Sequence, residues 1–547
     1  MTDGVRSHGF TALGPLHEAF ARLTGWAAAG TALLLGAFSA VAFAPFHFSA
    51  VLVISFTGLV WMLDGARGHR KWGKAIFMRT WAFGVGFFLI SMHWTASPFL
   101  VEPEKYAIFL WMPLILLPAG MALIWGAAGA MAGAFWSASP SRVFVFALFF
   151  ALAEYVRGHL FGGFPWNLPG TTWMPGGALS QAASIGGVYW LTLLTIFIVS
   201  APAALVDTRD ARGLAVRMLP TFASGILIAL GWAWGAQRIA EPSPLSDTVV
   251  VLMDSGVSQD EKWKVGPDAI LKEYIKMLTT EDGAPGDIII WPEGAIPVNL
   301  LQDPNAIDII DAYLGPRVLI VGTSRYEIRD DSQRAYFNSL TVLDQSAARS
   351  GPLALYDKHR LVPFGELAAA EIIPFGRHIS GILPGAMQQM ATDGFRPGPG
   401  PAVIYADNVP PFVAMICYEG LYPSIPRDAN LNGRADWLVV ISNDGWFGGG
   451  MGPAQHYAQN RYRAIETGLP MARVASRGAS AILDGYGREV LRGAPAADAP
   501  EGWNAAYGRG RLPVPAGVTI YQHRIGIVLF WLTLCLFAGL AFASWRR

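Results

Sequence analysis

A bilayer's hydrocarbon core is about 30 Å thick and takes roughly 20 mostly apolar residues per crossing helix. No other feature restricts a chain so severely, because lipid offers backbone N–H and C=O groups no partner outside a helix or a closed barrel. Eight apolar runs read as spans, at residues 26–46, 48–63, 81–99, 108–135, 143–155, 182–206, 218–235 and 525–544, the second and fifth being short. Composition agrees: 53% of residues are hydrophobic and only 15% charged, against roughly 25% charged in ordinary soluble domains. The first run starts late and belongs to a series, so no cleavable signal peptide is expected.

Lys and Arg beside the spans set the orientation. They collect in "ARGHRKWGKAIFMRT", "DTRDARGLAVR" and the final "WRR". All three fall on one side if eight spans alternate. That side is read as cytoplasmic, together with both termini, and the segment from 236 to 523 falls outside. Equal numbers of acidic and basic residues, 40 of each, give no sign of a polyanionic partner. No basic, aromatic-laced patch or zinc-ligand spacing argues for nucleic acid.

From about residue 247 the texture changes to short β-branched runs broken by Gly, Pro and Asp. "TVVVLM", "DIIIWP", "RVLIVGTS", "NSLTVLD", "FVAMICY", "WLVVIS" and "MARVAS" read as mostly buried strands, with helical stretches such as "DAILKEYIKMLTT" and "PAQHYAQNRYRAIETG" between some of them. The alternation predicts an α/β domain with chemistry at strand ends. Residues 384–401 lack periodicity and read as a long lid-like loop.

Three stretches end an apolar strand, or follow one, with an ionisable residue: Glu293 in "IIIWPEGAIP", Lys358 and Glu366 in "LYDKHRLVPFGE", and Cys417 and Glu419 in "AMICYEG". A thiol becomes nucleophilic when a base takes its proton or a cation lowers its pKa, so Glu293 is a candidate base. Lys358 is a candidate cation, or a stabiliser of an oxyanion. Each also has a plain reading: Glu293 as a helix cap, Lys358 as a solvated loop charge, Cys417 as packing. Cys535 lies in an uncharged apolar run and reads as packing, and a bridge from it to Cys417 is not expected. One histidine without a partner makes no metal site, so His456 reads as structural or as a residue that supports the site from behind.

The words around these residues, "WPEGAIP", "DKHRLVPFGE", "ICYEGLYP" and "ISNDGWFG", occur in an order that resembles the nitrilase superfamily. Its members use a Glu-Lys-Cys triad on an αββα sandwich. Spans before and after such a domain, with "YVRGHLFGGFPWN" and "GPAQHYAQNRYRAIETGLPMARVASRGASAILDGYG", resemble the apolipoprotein N-acyltransferase family over nearly the full length. The resemblance implies a seven-span domain at 1–240, an extracytoplasmic nitrilase-like catalytic domain at 241–520 and a last span at 521–547, in an inner membrane.

It further implies Glu293 as base, Lys358 as oxyanion stabiliser and Cys417 as nucleophile, supported by Glu366, Tyr418 and Glu419. Trp263 is implied to line the acyl pocket, while Phe364, Trp446 and Phe447 read either as an apolar lip beside the substrate site or, equally, as plain hydrophobic core. Glu154 and Arg157, near an outer membrane edge, are either functional or a packing pair. The implied donor is a phospholipid, phosphatidylethanolamine above all, and the acceptor a diacylglyceryl-modified apolipoprotein. Neither cofactor nor metal is expected, and the chain is expected to be a monomer in the bilayer. A membrane-tethered amidohydrolase, where water resolves the thioester, shares the same triad, and a degenerate scaffold would lack a triad member. Arg477 and Gly445 stand where the family more often has Asn and Ala.

Overall fold

The computed structural model describes residues 13–206, 214–280, 284–328, 334–363, 365–366, 394–496 and 499–545. Two compact units divide the chain: Met1–Gly158 with Pro165–Ala240 and Arg524–Arg547, and His159–Phe164 with Glu241–His523.

The first unit is helical: α1 (Gly14–Ala21), α2 (Gly25–Ser39), α3 (Ala50–Arg67), α4 (Trp72–Ser91), α5 (Leu117–Ala134), α6 (Arg142–Arg157), α7 (Ala183–Ser200), α8 (Leu214–Ala240) and the C-terminal helix Ile525–Trp545. Among the described residues, seven helical segments are long and apolar enough to cross a membrane, so the chain is a multi-pass membrane protein. The expected fifth span is α6, which at 16 residues rises only about 24 Å. Its charges are buried and satisfied. Arg142 Nε lies 2.9 Å from Asp64 Oδ1, while Glu154 Oε1 accepts from Trp125 Nε1 at 2.7 Å and from Arg157 Nε at 2.8 Å. A Glu154–Arg157 pair closed on itself and on the Trp166 carbonyl, 2.9 Å from Arg157 Nη1, does the work of helix packing.

The expected third span begins nine residues too late. Helix α4 starts at Trp72, inside the stretch read as a basic loop. The cause is Arg79, only 4% exposed, whose guanidinium donates to the carbonyls of Met62 and Leu23. These carbonyl oxygens supply what water would otherwise give, which lets a cation lie inside the bundle.

The second unit carries two sheets. Strands β1 (Leu245–Asp254), β2 (Ile288–Ile290), β3 (Val318–Ile328), β4 (Arg334–Leu343), β5 (Ala354–Asp357), β6 (Val403–Ala406), β7 (Val409–Ile416), β8 (Trp437–Asn443), β9 (Met471–Ser476), β10 (Ala481–Leu483), β11 (Glu489–Arg492), β12 (Ala494–Pro495) and β13 (Ala506–Pro513) follow in chain order. The first sheet runs β12-β13-β1-β2-β3-β4-β5 and the second β11-β10-β9-β8-β7-β6.

The period of two explains the layers. Along β1, Val250 and Leu252 join Ile288, Ile320, Phe412, Ala414, Val439 and Val474 in a core between the sheets. Val251 and Met253 face the other way, toward Ile270 and Tyr274 of α10 (Pro267–Thr280) and Ile310 of α11 (Pro304–Leu314). Strands covered on both faces are hydrophobic throughout, as their sequences are. Helix α12 (Ser424–Asn432) packs on β7. The second unit is thus the αββα sandwich of an α/β domain, and the first is a polytopic helical domain. Parallel pairing aligns Ile416 with Ile441 and Asn443 with Ser476, so the chains leaving β7, β8 and β9 emerge along one edge.

Candidate active site

Glu293 follows β2, Lys358 follows β5 and Cys417 follows β7, so three strand ends from two sheets supply the three side chains. Trp291 anchors the first turn by stacking on Tyr274, their ring centroids 4.3 Å apart. Gly322 of β3 lets that turn pass: a Cβ there would stand 2.5 Å from the Cα of Glu293.

Lys358 Nζ, 1% exposed, lies 3.2 Å from Glu293 Oε1 and 2.9 Å from Glu366 Oε1. Asn338 of β4 repeats the bridge, its Nδ2 donating to Glu293 Oε1 at 2.8 Å and to Glu366 Oε1 at 2.7 Å. The second oxygen of each carboxylate takes a backbone N–H, Asn443 to Glu293 and Val362 to Glu366, both at 2.9 Å. One lysine and one amide thus hold two carboxylates together.

The electrostatics follow from burial and pairing. Burial pushes the Glu293 pKa up, but Lys358, Asn338 and the Asn443 N–H outweigh it and hold the carboxyl below its ordinary value. Burial would strip Lys358 of its proton, yet Glu293 and Glu366 raise it above the usual lysine range. Both are therefore ionised at neutral pH. Burial, then the charge of Glu293, raises the Cys417 thiol, with Lys358 and Ser442 pulling the other way. At rest the site is a protonated thiol in the field of a carboxylate and an ammonium.

Glu419, fully buried, accepts the Tyr356 hydroxyl at 2.8 Å and the N–H groups of His359 and Arg360 at 2.8 and 3.1 Å on Oε1. Its Oε2 accepts the Ile416 N–H at 2.8 Å. It therefore ties the chain leaving β5, which carries Lys358, to the start of the Cys417 turn. Tyr418 donates its hydroxyl to the Gly163 carbonyl at 2.6 Å, and Tyr422 reaches the same oxygen at 2.9 Å.

Of the residues implied to line the substrate site, Trp446 is 40% exposed. Phe447 sets its ring edge against His456, centroids 5.2 Å apart. Trp263 lies on α9 (Gln259–Val265), with its side chain outside the described residues. Phe364 and residues 384–393 of the expected lid also lie outside them. Cys417 and Cys535 are both free thiols.

Sequence reasoning missed Asn338, Asn443 and the partners of His456. Asn338 left one signal, an amide beside Ser339 at the start of the strand-like run "NSLTVLD". His456 did have partners: its Nδ1 is 2.9 Å from Asp444 Oδ1, which β8 delivers.

Residues 35–201 match the model of the apolipoprotein N-acyltransferase N-terminal domain, and residues 271–496 match that of the carbon-nitrogen hydrolases. Similar curated relatives are apolipoprotein N-acyltransferases. That of Caulobacter vibrioides is 37% identical over 85% of this chain and 86% of its own. That of Rhodopseudomonas palustris is 35% identical over 92% of both, and that of Allorhizobium ampelinum 34% identical over 85% and 87%. With both halves matched in order and the length shared almost from end to end, the chain belongs to the apolipoprotein N-acyltransferase family.

Proposed function

We propose that the chain moves an acyl chain from a glycerophospholipid, through a thioester on Cys417, to the N-terminal amino group of diacylglyceryl-cysteine in apolipoproteins. The observation that carries this reading is the Lys358 ammonium 3.2 Å from Glu293, both within electrostatic reach of the Cys417 thiol. Among the described residues, seven helical segments are long and apolar enough to cross a bilayer.

The reaction is ping-pong. As the Cys417 sulfur attacks the donor's ester carbon, its proton passes to Glu293, so a thiol with a raised pKa never has to exist as a free thiolate. The oxygen of the attacked carbonyl gains charge opposite the Lys358 ammonium. The C–O bond then breaks, and Glu293 returns the proton to the departing lysophospholipid alkoxide. In the second half the lipoprotein amine attacks the thioester, Glu293 accepts its proton, the C–S bond breaks and the proton goes back to sulfur. Glu366 and Asn338 keep Lys358 charged and Glu293 in place throughout.

Substrate partition supplies the reason for the membrane unit. Each buried methylene is worth about 0.8 kcal/mol, so two- and three-chain lipids stay in the bilayer and the thiol must come to them. Phosphatidylethanolamine is the donor of this reading, and the enzyme acts as a monomer. It sits in an inner membrane, with α6 counted as a crossing despite its length and residues 241–520 on the periplasmic face, because Arg and Lys cluster beside the opposite ends of the spans.

The experiment pairs a labelled phospholipid with a diacylated lipopeptide. Label on the peptide's amino group supports the reading, whereas label released only as free fatty acid assigns the chain to the amidohydrolase alternative. A residue near Lys358 modified by a reagent confined to the cytoplasm would overturn the orientation.

A further inference from the structure

Behind the Cys417 turn lies a second group of buried charges that this reaction does not use. Asp444, at the exit of β8, His456, on α13 (Met451–Thr467), and Arg473, on β9, are all fully buried. Asp444 Oδ2 accepts Arg473 Nη2 at 2.7 Å, and its Oδ1 accepts the Ser442 hydroxyl at 2.7 Å and meets His456 Nδ1 at 2.9 Å. Arg473 Nη2 also approaches His456 Nδ1 at 3.2 Å, and Arg473 Nε donates to Asn460 Oδ1 at 2.8 Å. The ring is thereby fixed on one side.

On its other side, His456 Nε2 lies 3.1 Å from the carbonyl oxygen of Cys417. A carbonyl only accepts, so that nitrogen carries a proton and donates it. Cys417 itself has φ = 52°, the left-handed region that a side chain with a Cβ occupies only when its surroundings hold it there. Phe447 closes the ring's remaining edge at 5.2 Å.

We infer that His456 is a positioning residue for the nucleophile: braced by Asp444 and Arg473, it clamps the Cys417 carbonyl and fixes the plane of the peptide bond that leaves Cys417. Fixing that plane holds the left-handed backbone and aims the sulfur at the ester carbon. The Tyr418 N–H, on the same peptide, is held with it. Misplacing a reacting atom by about 1 Å costs on the order of 100-fold in rate, so the clamp acts on the chemical step and leaves lipid binding alone. This inference rests on the reading of Cys417 as nucleophile.

The test compares two substitutions that cut the network at opposite ends. In His456→Asn the amide nitrogen replaces Nδ1, keeping Asp444 and losing the Cys417 carbonyl. In His456→Gln the amide nitrogen reaches the place of Nε2, keeping the carbonyl and losing Asp444. Each full-length variant is mixed with phosphatidylethanolamine vesicles, and the single-turnover rate of Cys417 acylation is read by mass spectrometry against lipid concentration.

The expected result is a rate about 100-fold lower for His456→Asn at unchanged half-saturation, and a rate within about 5-fold of wild type for His456→Gln. The rate of Cys417 alkylation by iodoacetamide, read on its own peptide, should order the variants the same way. Equal rates in the two folded variants, or a slower His456→Gln, would overturn the clamp while leaving Cys417 as nucleophile. If His456→Asn does not fold, a folded His456→Gln that has lost acylation overturns it as well. A wild type that never acquires an acyl group on Cys417 removes both readings together.

Discussion

Lys358→Met is the substitution with the most to say about the site. It deletes an ammonium 1% exposed that lies 3.2 and 2.9 Å from two carboxylates. Removing one partner of a buried ion pair costs roughly 3–5 kcal/mol. Here two anions are left, sharing the Asn338 amide as donor at 2.8 and 2.7 Å. One of them should take up a proton, because burial, the largest influence on Glu293, is then opposed only by hydrogen bonds. Loss of the oxyanion partner costs about 10²–10³ in rate, and loss of an ionised base about 10²–10⁴ more.

Thioester formation should therefore fall by well over about 10³-fold, and the unfolding midpoint in detergent should drop. Adding Glu366→Gln removes one of the stranded anions. The double variant should regain part of the lost midpoint, the coupling being about 0.5–3 kcal/mol for groups in one network, and regain none of the rate. Stopped single-turnover acylation and thermal unfolding, run on both variants, give the two numbers. A Lys358→Met enzyme within about 10-fold of wild type would refute the oxyanion role, and rate returning along with stability would refute the division of labour between Lys358 and Glu366.

Asn338→Leu removes a donor to both Glu293 and Glu366 while sparing Lys358, and should slow acylation by about 10- to 100-fold, measured in single turnover. The acylation rate should stay level from about pH 5 to about pH 10 and fall only below, since Glu293 titrates beneath 4.5 and Lys358 above 10.5; a limb near neutrality would contradict the assignment of the base. Asp254, fully buried, is raised by that burial from an ordinary 3.8 to about 6. A folded-state pKa above the unfolded one gives stability that is present below 3.8 and lost as pH rises through about 6, roughly 3 kcal/mol in all. Asp254→Asn should flatten that part of the unfolding midpoint's dependence on pH, the difference from wild type growing between about pH 4 and pH 7.

How far the sequence went depends on how local each signal was. The strand ends carrying Glu293 and Cys417 were legible because an apolar β-branched run stopping near an ionisable residue is visible within ten letters, whereas Lys358 follows the short strand "ALYD", which holds no β-branched residue and runs on into the four ionisable letters "DKHR". The span expected at 81–99 starts instead at Trp72, because Arg79 looks locally like a loop cation and only the folded bundle supplies the Met62 and Leu23 carbonyls that neutralise its cost. Glu419, two residues beyond Cys417, is expected from sequence only to support the triad. Its actual partners, Tyr356 and the His359 and Arg360 N–H groups, come from another sheet. His456 shows the same limit, for a histidine with no charged neighbour in its helix meets Asp444 and Arg473 only when β8, β9 and α13 assemble. Residues far apart in sequence leave no local trace of each other, and the topology decides their meeting.

The most direct measurement of the central claim is the intact mass of the enzyme after incubation with phospholipid alone, beside Cys417→Ala and Cys535→Ala. The mechanism predicts one acyl increment per chain, mapped to the Cys417 peptide, removed by hydroxylamine, kept in Cys535→Ala and absent from Cys417→Ala. An increment that survives in Cys417→Ala, or an acceptor acylated by an enzyme that never carries the chain itself, would contradict it.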